Sequence, residues 1–562
     1  MYTEDKKMAK KILAVLLICM MILPLAVACN SDTDETTGTE GTTMGTENNN
    51  QNNNDNNDNN EENNNGNNEN NNNENNNQNN NDNNSGAEED KDPFEAGKLA
   101  IKGADISEYV IVTPVDPSNS VKNFASELTD FIKDITGVTV TTVTDATPVA
   151  AKEILIGATN RAESAEAALK PLTQQWHYNA ALVGNKLAIN FTHKTGVKAA
   201  LNAIQRAFAN SDCDITTGFS NNSVALTDVK DLVMGAVRKD IETDGLHVHK
   251  CTQAQIDAWH AHTANWGGNK ENPRSATGIR LDFDTDSSYV YLKLTKEVSN
   301  LVFLVNDELI LNGQSTGYIA IPEKYHGQVN RITLLMSNVG YTDQWAIKEL
   351  EVDGGCVIKR HETDLNILFL GDSITEGYNN HGHPASTYTF YTHTYFNAEA
   401  VVQGHGGSQL WTDMVDPAMA NLYQPDVIIV AMGTNDYSGN KSQSAAWFEA
   451  RMDAFLNKVQ QVYPGVPIIG ITPIRRLNSM NASIAPDSNY DTNCVVTANA
   501  GYAASIKSHG GFVVNGETIL SKVEHYADEI HPNEVGFQEY GEVLCFLIEY
   551  EIEEIVAAKK NK

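Results

Sequence analysis

The 562-residue chain is poor in basic residues, in cysteines that could pair, and in long apolar runs. It has 40 Lys and Arg against 73 Asp and Glu, a formal net charge of −33. A nucleic-acid surface needs clustered Lys and Arg to neutralise phosphates, so that function class is excluded. Two of the seven cysteines, Cys19 and Cys29, sit in the N-terminal leader. The other five, Cys213, Cys251, Cys356, Cys494 and Cys545, are scattered and odd in number, which excludes a disulfide framework. None stands in a C-x-x-C pair, so no thiolate zinc site is expected. One apolar run, Ile12 to Val27, approaches the short limit for spanning a membrane.

That run follows Lys6, Lys7, Lys10 and Lys11 and ends in "LAVAC", with Cys29 after small residues. Residues 1–29 resemble a bacterial lipoprotein signal peptide. The resemblance implies that Cys29 is lipidated and holds the chain on the extracellular face of a bacterial membrane. Several acyl chains on one cysteine anchor stably, whereas one does not. The alternative, an uncleaved membrane anchor, also places the remainder outside the cytoplasm. Residues 30–95 are mostly Asn with Asp and Glu, and residues 31–92 hold 16 acids against one Lys. Nothing apolar is there to build a core, so this segment is expected to be a disordered linker. As a flexible coil of roughly 60 residues its r.m.s. reach is about 45 Å.

The rest divides into three expected domains. Residues 96–232 read as a small α/β domain. "YVIVTP" and "EILIGA" are β-branched runs of strand length, and "YNAALVGNKLAINF" is a hairpin turning at "GN". Between the first two, "SVKNFASELTDFIKDITG" sets Val121, Phe124, Leu128, Phe131 and Ile132 at helical spacing before Gly137. This order is similar to the accessory domain that precedes the catalytic module of α-glucuronidase-type glycoside hydrolases. Residues 240–360 show short strands between turn residues, the pattern of a β-sandwich. In residues 361–562, "NILFLG", "AVVQGHG", "DVIIVAMG", "PIIGITPI" and "GFVVNG" alternate with helical patterns. That alternation predicts an α/β fold, a doubly wound parallel sheet covered by helices on both faces.

In such a sheet functional groups gather beyond the C-terminal ends of the strands. The first strand ends in "GDSIT", which puts Ser373 just past it; a helix starting there would favour an anion beside the hydroxyl. A plain turn and N-cap is the competing reading of those residues. The second strand ends in the glycine-rich "QGHGGSQL", the third in "GTND", and the chain end carries "DEIHP". These four blocks resemble the SGNH hydrolase superfamily, also known as GDSL esterases. The resemblance implies a serine esterase needing no cofactor. Ser373 is the nucleophile, His531 the general base and Asp528 its orienting acid. The oxyanion donors are the N–H of Ser373, the N–H of Gly407 and the Asn435 amide, with Gly404 and Gly406 as neighbouring candidates. Asp372 and Asp436 are expected to fasten loops.

"HVHKC", from His247, has metal-like alternation, but scattered histidines are commoner, and no metal site is expected. His383 and Trp411 are candidates for substrate contact, Trp411 equally for core packing. A sandwich followed directly by the four-block domain is similar to carbohydrate esterases of the acetyl-xylan type, and a long spacer suits an immobile polymer. The expected partner is therefore an acetylated carbohydrate, with nucleic acid excluded. A lipase, lysophospholipase or thioesterase is the alternative enzyme, and a non-catalytic carbohydrate-binding surface protein is the alternative from another class.

Overall fold

The computed structural model of the chain describes residues 94, 96–264, 278–295, 301–314, 317–335, 345–379, 383–440, 442–477 and 492–561. The leader with Cys29, and the Asn-rich segment up to residue 93, lie outside them. Among the described residues no helix is long and apolar enough to cross a membrane.

The first body is a six-stranded mixed sheet. Its strand order is Thr142–Thr144, Val110–Thr113, Glu153–Ile156, Lys186–Phe191, Tyr178–Val183, Phe219–Ser220. The first three pairings are parallel and the last two antiparallel. Helix Asn119–Thr136 starts where the Ser118 side chain accepts from Val121 N–H and stops at Gly137, whose φ is 72°. It buries Val121, Phe124, Leu128 and Ile132, the stripe its spacing sets.

Two antiparallel sheets follow and enclose a shared core that includes Leu246, Val248, Phe283, Phe303, Ile332 and Leu350. The chain joins this core before strand Arg238–Glu242: Asn222–Ser223 pairs with Trp345–Val352, and Val229 and Leu232 are core residues. Trp176 Nε1 donates to Glu351 Oε1 at 2.7 Å, Tyr289 OH donates to the same oxygen at 2.9 Å, and His177 Nε2 lies 3.0 Å from Glu351 Oε2. One buried carboxylate thus ties the first body to the sandwich. On the other side Arg280, fully buried, bonds Asp282 at 2.8 Å and donates to Ala398 O at 2.8 Å in the last body.

That last body is a five-stranded, wholly parallel sheet, its strands numbered here along the chain as β1 (Leu365–Gly371), β2 (Ala398–Gly404), β3 (Val427–Ala431), β4 (Ile468–Ile471) and β5 (Phe512–Val514). Their order is β2-β1-β3-β4-β5. Helices Tyr388–Tyr395 and Glu534–Lys560 cover one face, where Ile367, Phe369 and Ile429 meet Tyr388, Phe537 and Leu544. Helices Ala445–Val462 and Thr492–Ser508 cover the other, where Leu368, Ile428 and Val430 meet Phe448, Met452 and Tyr502. Burial on both faces is why these strands are continuous apolar runs.

One expectation needs correction. No helix starts at Ser373: residues 373–379 form turns, and the next α-helix begins at Tyr388. Gly377 at φ 74° and Asn379 at φ 67° take left-handed backbone, which an α-helix cannot continue through.

Candidate active site

The abrupt stop of β1 has a steric cause. The chain folds back so tightly that a Cβ on Gly371 would lie 1.8 Å from Thr375 Oγ1. Only glycine fits, and the turn lifts Ser373 clear of the sheet. Its Oγ lies 2.8 Å from His531 Nε2, across 158 residues of chain. On the other ring nitrogen, His531 Nδ1 is 2.8 Å from Asp528 Oδ2 and 3.0 Å from Oδ1. The three-residue spacing works because Asp528 Oδ1 also accepts the backbone N–H of Ile530 and of His531, each at 2.8 Å. Burial raises the Asp528 carboxyl, but hydrogen bonds from the His531 side chain and backbone outweigh it and hold the group down at about 2. Asp528 is therefore an anion facing the imidazole at any ordinary pH.

The His531 loop is braced by the segment that follows β4. Tyr526 OH donates to Arg475 O at 2.9 Å and Leu477 N–H to Glu529 O at 2.9 Å. Across the imidazole stands the Tyr378 ring, with centroids 4.6 Å apart. Beside it, Asn379 Nδ2 donates to Asp528 Oδ2 at 2.5 Å. Neither Tyr378 nor Asn379 was singled out from sequence.

Gly407 follows β2 at φ 74°. Among the described residues neither its N–H nor that of Ser373 meets a backbone acceptor. Asn435 follows Gly433, which has φ 115° and carries its carbonyl under the Tyr502 hydroxyl at 3.1 Å. The Asn435 amide donates to Ser408 O at 3.0 Å, tying the two loops together and leaving its second N–H for another acceptor.

The two spare acids fasten loops. Asp372 Oδ1 accepts Ile374 N–H at 3.0 Å. Burial raises the Asp372 carboxyl to about 6, against that hydrogen bond and the charges of His531 and Arg476. Asp436 accepts Leu410 N–H at 3.0 Å and Arg451 Nε at 2.7 Å.

Sequence patterning gave no sign that the sandwich reaches this site. Lys250 Nζ donates to Gly404 O at 2.8 Å, and Trp259 Nε1 to Gly406 O at 3.4 Å. Thr252 Oγ1 reaches Asp416 at 2.5 Å, and Gln255 Nε2 reaches Met414 O at 3.1 Å. Trp411 packs against Cys251, Trp259 and Met414, and it lies flat on His262, with centroids 4.0 Å apart and planes within 7°. His383 precedes the short turn Pro384–Ser386, where its carbonyl accepts from Ser386 at 3.0 Å. In "HVHKC", His247 bonds Asp244 at 2.7 Å and His249 lies 3.3 Å from Asp240, pairings along a sandwich hairpin.

No curated protein matches the chain. Among solved structures it is similar to a salicylyl-acyltransferase from a tetracycline biosynthetic pathway, with 16% identity and a TM-score of 0.45 over 57% of this chain and 95% of that one. It is similar to a family two carbohydrate esterase from Cellvibrio japonicus, with 17% identity and a TM-score of 0.39 over 59% and 99%. It is also similar to an acetyl xylan esterase from the rumen bacterium Butyrivibrio proteoclasticus, with 14% identity and a TM-score of 0.38 over 56% and 98%. Residues 369–539, which run from the Ser373 turn past the His531 loop, match the GDSL-like Lipase/Acylhydrolase family, and the last body of the chain is a hydrolase domain of that family.

Proposed function

We propose that the chain is a serine esterase that removes small acyl groups, acetyl foremost, from a polysaccharide or oligosaccharide. The observation that carries it is the line Ser373 Oγ, His531 Nε2, His531 Nδ1, Asp528 Oδ2, with both contacts at 2.8 Å. A hydroxyl is a weak nucleophile near neutral pH, and a hydrogen-bonded imidazole removes that limit. His531 takes the Ser373 proton as Oγ attacks the ester carbonyl. Negative charge on the carbonyl oxygen is met by the N–H groups of Ser373 and Gly407 and the Asn435 amide. Collapse breaks the C–O bond to the alcohol, which leaves with the proton from His531. Water then attacks the acyl-Ser373, giving its proton to His531, and the carboxylic acid departs as Oγ regains a proton. Proton transfer of this kind contributes about 10²–10⁴-fold.

The carbohydrate preference is supported by the flat Trp411–His262 pair, an aromatic face of the kind that sugar rings lie against, and by the sandwich-then-hydrolase order. The leader and Asn-rich spacer support a lipid-anchored position at Cys29, outside the cell. The test is acetate release from acetylated xylan and from short aryl esters by wild type and Ser373→Ala side by side. Preference for long acyl chains would favour the lipase reading, and glycan binding without turnover the non-catalytic one. Palmitate labelling of cells producing wild type and Cys29→Ala tests the anchor.

A further inference from the structure

We propose that the oxyanion site is completed from outside the hydrolase domain. Lys250 and Trp259, carried by the sandwich, are positioning residues that hold the loop after β2 by its carbonyls. The inference rests on the esterase reading above.

In a trans peptide the C=O and N–H point in opposite directions. A donor seated on the carbonyl therefore aims the N–H on the far side. The peptide between Gly404 and His405 displays this directly: Lys250 Nζ donates to its carbonyl at 2.8 Å, and its N–H donates to Gly371 O at 3.2 Å, at the end of β1. Two residues on, Trp259 Nε1 donates to Gly406 O at 3.4 Å. The N–H of that second peptide belongs to Gly407. With its carbonyl held by Trp259, that N–H is aimed away from the indole.

Gly404, Gly406 and Gly407 have no side chains with which to hold the loop, and Gly407 sits at φ 74°. The neighbouring turn crowds the first two: a Cβ would lie 2.4 Å from Glu376 N at Gly404 and 2.9 Å from Glu376 Oε2 at Gly406. Lys250 and Trp259 are 2% and 5% exposed, so their hydrogen bonds act in a low dielectric where they are strong. The segment is itself docked, since Gln403 Nε2 donates to Lys250 O at 2.6 Å.

The experiment is Trp259→Phe in the full chain, which keeps an aromatic ring at the site and deletes the N–H. For a short aryl ester, kcat falls about threefold to tenfold, the net worth of one hydrogen bond, while KM stays at the wild-type value. The inhibition constant of an alkylboronic acid, which forms a tetrahedral adduct on serine, rises by the same factor. A residue that only packed would not move the boronate affinity in step with kcat. Adding Lys250→Met deepens both losses. Wild-type kcat and boronate affinity in Trp259→Phe, in an enzyme that Ser373→Ala inactivates, overturns the inference and leaves the esterase reading standing. A wild type that neither hydrolyses esters nor is labelled by a fluorophosphonate overturns both.

Discussion

Asn379 holds Asp528: the side-chain amide on the turn that carries Ser373 donates to Oδ2 at 2.5 Å. One short stretch of chain therefore carries the Ser373 hydroxyl and grips the carboxylate that faces His531.

Replacing Asn379 should separate those duties. Asn379→Gly keeps the left-handed backbone at φ 67° and deletes the amide, so kcat should fall about threefold to tenfold with little change in Tm. Asn379→Asp sets a second carboxylate against Asp528, and like charges raise one another's titration. The acid limb of kcat/KM should then move to higher pH. An unmoved pH profile would mean that the amide does not govern Asp528.

Ser373→Ala and His531→Ala should each lower kcat by about 10⁴–10⁶-fold, and the double variant should lose hardly more, because the two act as one unit. Steady-state hydrolysis of an aryl acetate measures all three. Additive losses would contradict the relay.

Asp372 makes stability depend on pH. Burial lifts its carboxyl from 3.8 to about 6 in the folded chain. The folded state thus binds the proton more tightly than the unfolded one. The contribution is fully present below about pH 4 and is lost as pH rises through about 6. Asp372→Asn cannot ionise. Its stability relative to wild type should climb between about pH 4 and pH 8 by up to about 3 kcal/mol, two pKa units at about 1.4 kcal/mol each. Denaturant melts across that range read the difference, and a constant gap would refute it.

Gly433 should prove irreplaceable. A Cβ there would lie 2.6 Å from the Tyr502 ring and would have to tolerate φ 115°. Gly433→Ala should displace Asn435, lowering kcat about 10²-fold and Tm as well. Asn435→Ala should reproduce the kinetic loss without the thermal one.

His262→Ala and Trp411→Ala test the aromatic wall. Each should raise KM for acetylated xylan by up to about tenfold, within the range of an aromatic contact. A small aryl acetate, which carries no sugar ring to stack, should be hydrolysed as by wild type.

The parts of this site that could be read from sequence are those with a local pattern. β1, β3 and β4 are apolar runs because both their faces are covered, and turn residues mark where each run ends. Ser373 and Asn435 sit at such ends, and His531 stands in "DEIHP" just before the helix Glu534–Lys560. Lys250 and Trp259 have no local pattern. Helix Gln253–His262 buries only Gln255 and Trp259, too few for a 3.6-residue stripe. Hairpin Arg238–His249 is equally hidden, because its first strand, "RKDIE", is polar and half exposed. Asn379 was invisible because its contact lies 149 residues away. The missing helix after Ser373 has the same kind of cause: a glycine and an asparagine in left-handed backbone, which no periodicity reports.

The Glu351 carboxylate has a practical consequence. Two of its partners, Trp176 and His177, come from the first body, and the Trp176 indole also covers Tyr291 and Tyr318 with centroids 4.9 and 4.8 Å away. Severing the chain after Phe219 would leave the Glu351 carboxylate with Tyr289 but without Trp176 and His177, and would lay two phenol rings open to water. A shortened fragment built to isolate the hydrolase would clump through that raw surface, whereas production from residue 94 onward keeps it sealed.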